Sequence, residues 1–369
     1  VSDGPQTGGY RTLAERVASA YARSVSGLGP PGDVPEGSGD LLEFCGEWYR
    51  QMAEQPEAFG LPVGGDMVTE PGEGHESEHR QEVQAKVRKV QEIIGHGLTF
   101  LYLAGRQGRL SGESLVMDRA AYVEFLAKQP KIKRRMLDGM ALGGLEIKDL
   151  ADGVTISNRR YPRMMPALAY LAQICSQQPK EQEALFHFSR CDFSAKAPGH
   201  CPEAPDLYRM FTSDDRERLL EVHRHLSSLG YRTKFQVNPH GWEVQYQGSR
   251  KIKSSPLLHV ECSMRFGDHP HLRLKCVSSA RIVPLVEQEG PALQADFRHR
   301  IYKCRRDEGC DWCQSRKGMG PSVFTYDGEQ HLICWYTRPD TALSDDAAVE
   351  MVKAYADLHE RLAATPAMG

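Results

Sequence analysis

No run of about 18 consecutive apolar residues occurs anywhere in the 369-residue chain, so no segment has the length and hydropathy of a membrane-spanning helix. Val1 to Leu28 carries Arg11, Arg16 and Arg23 but lacks the apolar core of a secretory signal, and the expected compartment is therefore the cytoplasm. The stretch 11–26 has Leu13, Val17 and Tyr21 on one helical side, as an organellar leader would, but Asp3, Glu15 and the surrounding Gly and Pro argue against one. Signatures of common catalysts are missing too. There is no G-x-x-x-x-G-K-[ST], no G-x-G-x-x-G after a strand, no H-E-x-x-H and no G-x-S-x-G, which removes the usual nucleotide and hydrolase motifs. A zinc deaminase would need a proline before its C-x-x-C, and none precedes Cys310.

Lysine is absent from residues 1–80, which hold 14 Asp and Glu against 5 Arg, while the whole chain carries a net charge of only -3. The acidity thus belongs to one end, and no polyanionic partner is implied for the molecule as a whole. The same 80 residues hold 14 of the 34 glycines, so they read as an acidic, Gly/Pro-rich, partly flexible segment with short helices. Leu41, Cys45, Trp48 and Met52 recur at helical spacing within it, with Asp40 as N-cap.

Apolar residues at 40% and charged residues at 26% are ordinary for a globular chain, and the length allows two or three folding units. From residue 81 the pattern is helical. Val83, Val87, Val90, Ile94, Leu98 and Leu101 step by three or four, Asp118 and Gly143–Gly144 mark helix ends, and Pro162 to Gln178 forms another helix. Phe186 to Phe193 reads as a strand, and the prolines between 195 and 205 mark a boundary. Ser213 to Leu229 is again helical and ends at Gly230.

Thereafter the period is two. Trp242, Val244 and Tyr246, then Leu258 to Phe266, then Leu272 to Cys276 alternate apolar and polar residues; with 234–237 they make a meander of four antiparallel strands. A helical pattern at 285–301 and a C-terminal helix in 341–369 supply its covering layer. The fold class expected is α+β: a mostly helical N-terminal half, a four-stranded meander with covering helices, and a Cys-rich C-terminal hairpin module. The corresponding divisions are 1–80, 81–195, 205–300, 301–340 and 341–369.

The most specific chemistry is in Cys304, Cys310, Cys313 and Cys334, a C-x5-C-x2-C-x20-C pattern. Two intervening residues let the thiolates of Cys310 and Cys313 converge on one tetrahedral ion, and a hairpin turning at Asp327-Gly328 would return Cys334 towards them. The segment is similar to zinc-ribbon and treble-clef modules in this respect, though its first spacing is wider and a helix-borne ligand is lacking. Arg305, Arg306, Arg316 and Lys317 favour thiolates electrostatically, and His331 is a replacement ligand. Structural zinc is the expected cofactor; the spacing alone also admits an iron-sulfur cluster. Against this stands the reading of reduced cysteines as small core residues, which suits Cys45, Cys175, Cys262 and Cys276 on apolar faces. Cys191 and Cys201 flank a loop with His200, a candidate second site.

Two further groups are chemically pointed. Lys131, Lys133, Arg134 and Arg135, followed by Arg159, Arg160 and Arg163 beside Tyr161, have the density of a nucleic-acid contact, diluted by Asp138, Glu146, Asp149 and Asp152. His259, Glu261 and His271 share the polar face of the meander, where a carboxylate between imidazoles binds a metal or relays protons. The function expected is an intracellular, zinc-stabilised binding or regulatory protein with nucleic acid or protein as partner and no membrane. The alternative is an enzyme whose site lies on the polar face of the meander.

Overall fold

The computed structural model describes residues 12–25, 34–62, 76–238, 241–248, 258–263, 270–274, 279–300, 304, 320–334, 340–343 and 345–364. The chain divides into two compact units, Val1–Cys201 and Pro202–Gly369, and mixes helix with antiparallel sheet in both. Among the described residues no helix is long and apolar enough to cross a membrane.

The first unit runs α1 (Leu13–Ser24), α2 (Ser38–Glu54), α3 (Glu76–Gln107), β1 (Arg109–Ser111), β2 (Ser114–Asp118), α4 (Arg119–Ala127), α5 (Pro130–Met140), β3 (Leu145–Asp149), β4 (Gly153–Asn158), α6 (Met164–Cys175) and α7 (Glu181–Ser189). A reciprocal cap starts α1: Thr12 Oγ1 accepts the Glu15 N–H at 3.1 Å while the Glu15 carboxylate accepts the Thr12 N–H at 3.1 Å. Glu15, which in sequence counted against a targeting leader, is thus a helix-start residue, and Ala14, Val17 and Ala18 behind it are buried. Trp48, Tyr49 and Met52 of α2 and Val87, Val90, Ile94, Leu98 and Leu101 of α3 form the interior. Close approach to α3 depends on two glycines. A Cβ at Gly97 would stand 2.6 Å from the Trp48 ring, and one at Gly105 would stand 2.7 Å from the Leu168 carbonyl oxygen of α6.

The stretch from 81 to about 180, expected to be mostly helical with a short strand or turn at Gly153 to Asn158, carries that strand as β4, and three further strands that the pattern did not announce complete a four-stranded antiparallel sheet of order β1-β2-β4-β3. Leu115 pairs with Ile156 and Met117 with Val154, all four buried, but each run is only five or six residues and the helices between them dominate the pattern. Nor is 186–193 a strand. Glu181 and Glu183 lie in the first turn of α7, where the helix dipole favours them. Phe186 and Phe188 look alternating because each is buried for its own reason: Phe188 meets the Tyr102 ring at 5.4 Å, and Phe186 lies under the Arg190 guanidinium at 3.8 Å. Asp118 precedes α4 as expected but makes no side-chain cap bond.

The second unit runs α8 (Ala204–Leu207), α9 (Ser213–Ser228), β5 (Arg232–Asn238), β6 (Gly241–Gln247), β7 (Leu258–Ser263), β8 (His271–Leu274), α10 (Ser279–Val286), α11 (Pro291–Arg300), β9 (Ser322–Tyr326), β10 (Glu329–Ile333), β11 (Asp340–Ala342) and α12 (Ala348–Ala364). The meander β5 to β8 gains a fifth strand: the sheet order is β11-β8-β7-β6-β5, antiparallel throughout. The single helical pattern at 285–301 is corrected to two helices, because Gly290-Pro291 cannot continue α10 and Pro291 opens α11 instead. Phe297 of α11 meets Phe324 of the β9–β10 hairpin at 5.1 Å and Tyr355 of α12 at 6.3 Å.

Candidate functional site

Strand alternation gives the five-stranded sheet two different faces. Trp242, Val244 and Tyr246 on β6, Val260 on β7 and Leu272 and Leu274 on β8 fill one face and are fully buried. Its polar groups are satisfied inwardly: Tyr246 Oη lies 2.8 Å from Tyr208 Oη and 3.0 Å from His223 Nδ1 on α9. Burial, with some opposition from Glu203, lowers the His223 pKa and favours the neutral ring that accepts the Tyr246 O–H.

On the other face the register forms two rows. Gln236, Glu243, Glu261, His271 and Ala342 occupy successive opposed positions from β5 to β11. Lys234, Gln245, His259, Arg273 and Asp340 form the adjoining row. The positions of His259, Glu261 and His271 therefore come together as the alternation implied; their side chains lie outside the described residues. Burial along this face is uneven, with Lys234 and Gln236 exposed on β5 while Glu243 and Gln245 on β6 are each only 8% exposed. β5 is the edge strand and β6 an inner one, so side chains of the flanking strands cover Glu243 and Gln245. Gln245 donates from its amide to the Glu243 carboxylate and, at 3.2 Å, to Gln236 Oε1. Glu243 was legible only as one polar residue of an alternating strand.

At the C-terminal hairpin, Asp327 and Gly328 both have positive φ, 52° and 78°, as a type I′ turn requires. The Cys304 N–H donates to the Leu332 carbonyl at 2.8 Å, two residues before Cys334, and both cysteines are half-buried. Cys310 and Cys313, like Arg305, Arg306, Arg316 and Lys317, lie outside the described residues. Among the described residues no group of three or more His, Cys, Asp or Glu is arranged to hold a metal ion. His331 lies opposite Phe324, its ring 6.5 Å away. Cys45 and Cys175 are buried, whereas Cys262 and Cys276 fall on undescribed side chains.

The basic residues are differently disposed from one another. Lys131, Arg134 and Arg135 are exposed on α5, but Lys133 is buried, donates to the Phe125 carbonyl and lies 4.4 Å from that ring. Burial, with Lys128 nearby, lowers its pKa. Arg159 pairs with Glu146 at 2.6 Å, Arg160 with Glu47, and Arg163 with Asp40 at 3.5 Å. Tyr161, the candidate stacking ring, donates its O–H to Glu47 at 2.5 Å; burial and that bond push its pKa up to about 12. Acids of the N-terminal segment thus sit on arginines more than 100 residues away in sequence.

Sequence reasoning missed a buried polar knot between 187 and 200. His187 Nδ1–H donates to Asp192 Oδ2 at 2.6 Å, with both side chains 1% exposed. Asp192 Oδ1 takes the Ser194 N–H at 3.0 Å and the Ser194 hydroxyl, and His200 Nε2 lies 3.1 Å from Ser194 Oγ. Burial works to raise the Asp192 pKa, yet the His187 and Ser194 bonds outweigh it and keep the carboxylate ionised. Because the Ser194 proton is committed to Asp192, His200 must donate to Ser194, which makes the serine a link rather than an activated nucleophile. Cys191 beside it holds φ 51° and is buried, with its thiol pKa raised by its bond to Cys45 and by burial. The loop of Cys191, His200 and Cys201 singled out in sequence is this knot, though Cys201 itself is exposed. Comparison with protein families, with curated proteins and with solved structures finds no match to this chain.

Proposed function

We propose that the chain is an intracellular binding or regulatory protein whose C-terminal module is held by a zinc ion on Cys304, Cys310, Cys313 and Cys334. The supporting observation is the Cys304 N–H bond to Leu332, which draws the first cysteine of the pattern to the strand that ends beside the last. A knuckle at 310–313 then needs only to fold over this pair to complete a tetrahedral set. Four thiolates leave no open position, so the zinc is structural and the module serves recognition. The exposed Lys131, Arg134 and Arg135 offer the basic surface for a nucleic-acid partner. Plasma mass spectrometry on protein purified without chelator tests this. About one zinc per chain, lost in Cys310→Ser and Cys313→Ser with a lower melting temperature, is the expected outcome. Unchanged metal and melting temperature in both variants would overturn it.

A second reading, an enzyme working on the polar face of the five-stranded sheet, is favoured by the burial of Glu243 and Gln245. A carboxylate kept out of water and held by an amide has the environment of a catalytic or ligand-binding group.

A further inference from the structure

Four cations at the corner between α4 and α5 answer to no acid. Lys128, Lys131, Arg134 and Arg135 are exposed, and no ion pair reaches any of them among the described residues. Arg159, Arg160 and Arg163 each hold a carboxylate instead, and Lys133 is turned into the core. The corner is firmly held. Gln129 opens α5 at φ 56° and ties it to α3, its amide donating to Glu92 at 2.8 Å and its Oε1 lying 2.7 Å from His96 Nε2. Lys133 donates to the Phe125 carbonyl, and Met136, Leu137 and Met140 are buried on the same face of α5. Lys131, Arg134 and Arg135, at i, i+3 and i+4, share the opposite face.

A row of fixed cations without counter-charges attracts a polyanion. No acid occurs from Lys128 to Arg135, and Asp138, one turn further on, ends the row. At helical rise the row is about 10 Å long, which spans about three successive charges of one nucleic-acid strand. Its surroundings decide which part of a nucleic acid it meets. Single strands are held by stacking bases on aromatic rings. Among the described residues of the first unit no Phe, Tyr or Trp is exposed, and the Tyr161 hydroxyl is held by Glu47. Base edges are read by amides as well as by arginine, and the one amide at this corner, Gln129, is already engaged. What remains is contact with phosphates, which positions a duplex without specifying its sequence.

We infer that Lys128, Lys131, Arg134 and Arg135 form a docking row for the phosphate backbone of a nucleic-acid duplex, bound without regard to sequence. This rests on the nucleic-acid partner proposed above and names the part of it that is held. Arg159, Arg160, Arg163 and Tyr161, paired with acids of their own unit, take no part in it.

The test is fluorescence anisotropy of the full chain with labelled duplex DNA of about 20 base pairs, and with one of its strands alone, between about 50 and 200 mM salt. Three or four phosphate contacts give log K a slope near −3 against log salt, roughly a 60-fold loss of duplex affinity over that range. Lys131→Gln and Arg134→Gln, both exposed positions, are each expected to make the slope shallower by about one and to weaken two duplexes of unrelated sequence equally. Arg159→Gln leaves the slope where it was, and the single strand binds more weakly than the duplex. Tighter binding of the strand, or a preference of about tenfold between duplexes, means that bases are read; the inference then falls while the nucleic-acid partner stands. Unaltered slopes in Lys131→Gln and Arg134→Gln place the contact elsewhere and overturn the inference likewise. Absence of binding to either form removes the nucleic-acid partner too. Vesicles of phosphatidylserine and phosphatidylcholine, bound by the wild type and released in both variants, would then make the row a membrane contact. Metal content reads the cysteine module independently of every one of these outcomes.

Discussion

Asp192 in the first unit and Glu243 in the second are both buried carboxylates, but their surroundings differ. Asp192 receives three donors from residues within five positions of it, and its hydrogen bonds close on themselves. Glu243 takes an amide from Gln245 and faces another carboxylate position across the sheet. A charge neutralised by its own neighbours stabilises a fold and is unavailable for chemistry. One placed opposite a like charge must draw its compensation from further side chains, so its contacts reach across the sheet rather than along the chain.

The contrast breaks first at Asp192. Replacing it by Ala strands His187 in the interior and is expected to destabilise the first unit by about 3 to 5 kcal/mol. Hydrogen exchange resolved by unit should show α6 and α7 opening while β5 to β8 stay protected; equal loss in both units would refute the local account. Next in size, Gly105→Ala drives a Cβ to 2.7 Å from the Leu168 carbonyl and should cost about 1 to 3 kcal/mol in denaturant melts. A neutral result would mean that α3 and α6 can separate freely.

Acid sharpens the comparison. A depressed pKa means stability that is full above the unfolded-state value and lost as pH falls through the folded one. For His223 that loss begins near pH 6.5, as protonation removes the acceptor of the Tyr246 hydroxyl, and amounts to about 1 kcal/mol. For Asp192 it begins only below about pH 4. The second unit should therefore soften first on acidification, and His223→Gln should flatten its pH profile between 7 and 5; an unchanged profile would remove His223 from the account. The smallest effect belongs to Glu47→Gln, which weakens an ion pair with a half-exposed Arg160 and should shift stability by about 1 kcal/mol or less in thermal melts.

What the sequence disclosed follows from range of interaction. Period-two alternation revealed the apolar face of β6 to β8, and Asp327-Gly328 revealed the hairpin, because both signals are complete within a dozen residues. The three-residue strands β1 and β11 exist only through partners elsewhere, so they carry no periodicity to read. The same holds at the candidate sites. His259, Glu261 and His271 could be grouped by alternation, but the opposition of Glu243 to Glu261 depends on a register set by chain between them. The bonds of His187, Asp192, Ser194 and His200 require a helix ending in a left-handed Cys191, which no local pattern announces. Glu146 was already read as diluting the basic run, and its pairing with Arg159 fits that, whereas the acids on Arg160 and Arg163 come from residues 47 and 40, more than 100 positions away, and carried no local signal.

Strand β11 pairs with β8, yet residues 275–339 separate them, so α10, α11, Cys304 and the hairpin are an excursion whose two ends lie side by side. Closing a loop of that length costs entropy before β11 returns any hydrogen bonds, and three residues of pairing return few. A bond formed early within the excursion, such as Cys304 to Leu332, shortens the span left to close. Whatever fastens the hairpin to Cys304 thereby acts on the edge of the sheet as well. In loop-closure terms, a fastened excursion leaves a shorter span for β11 to close against β8.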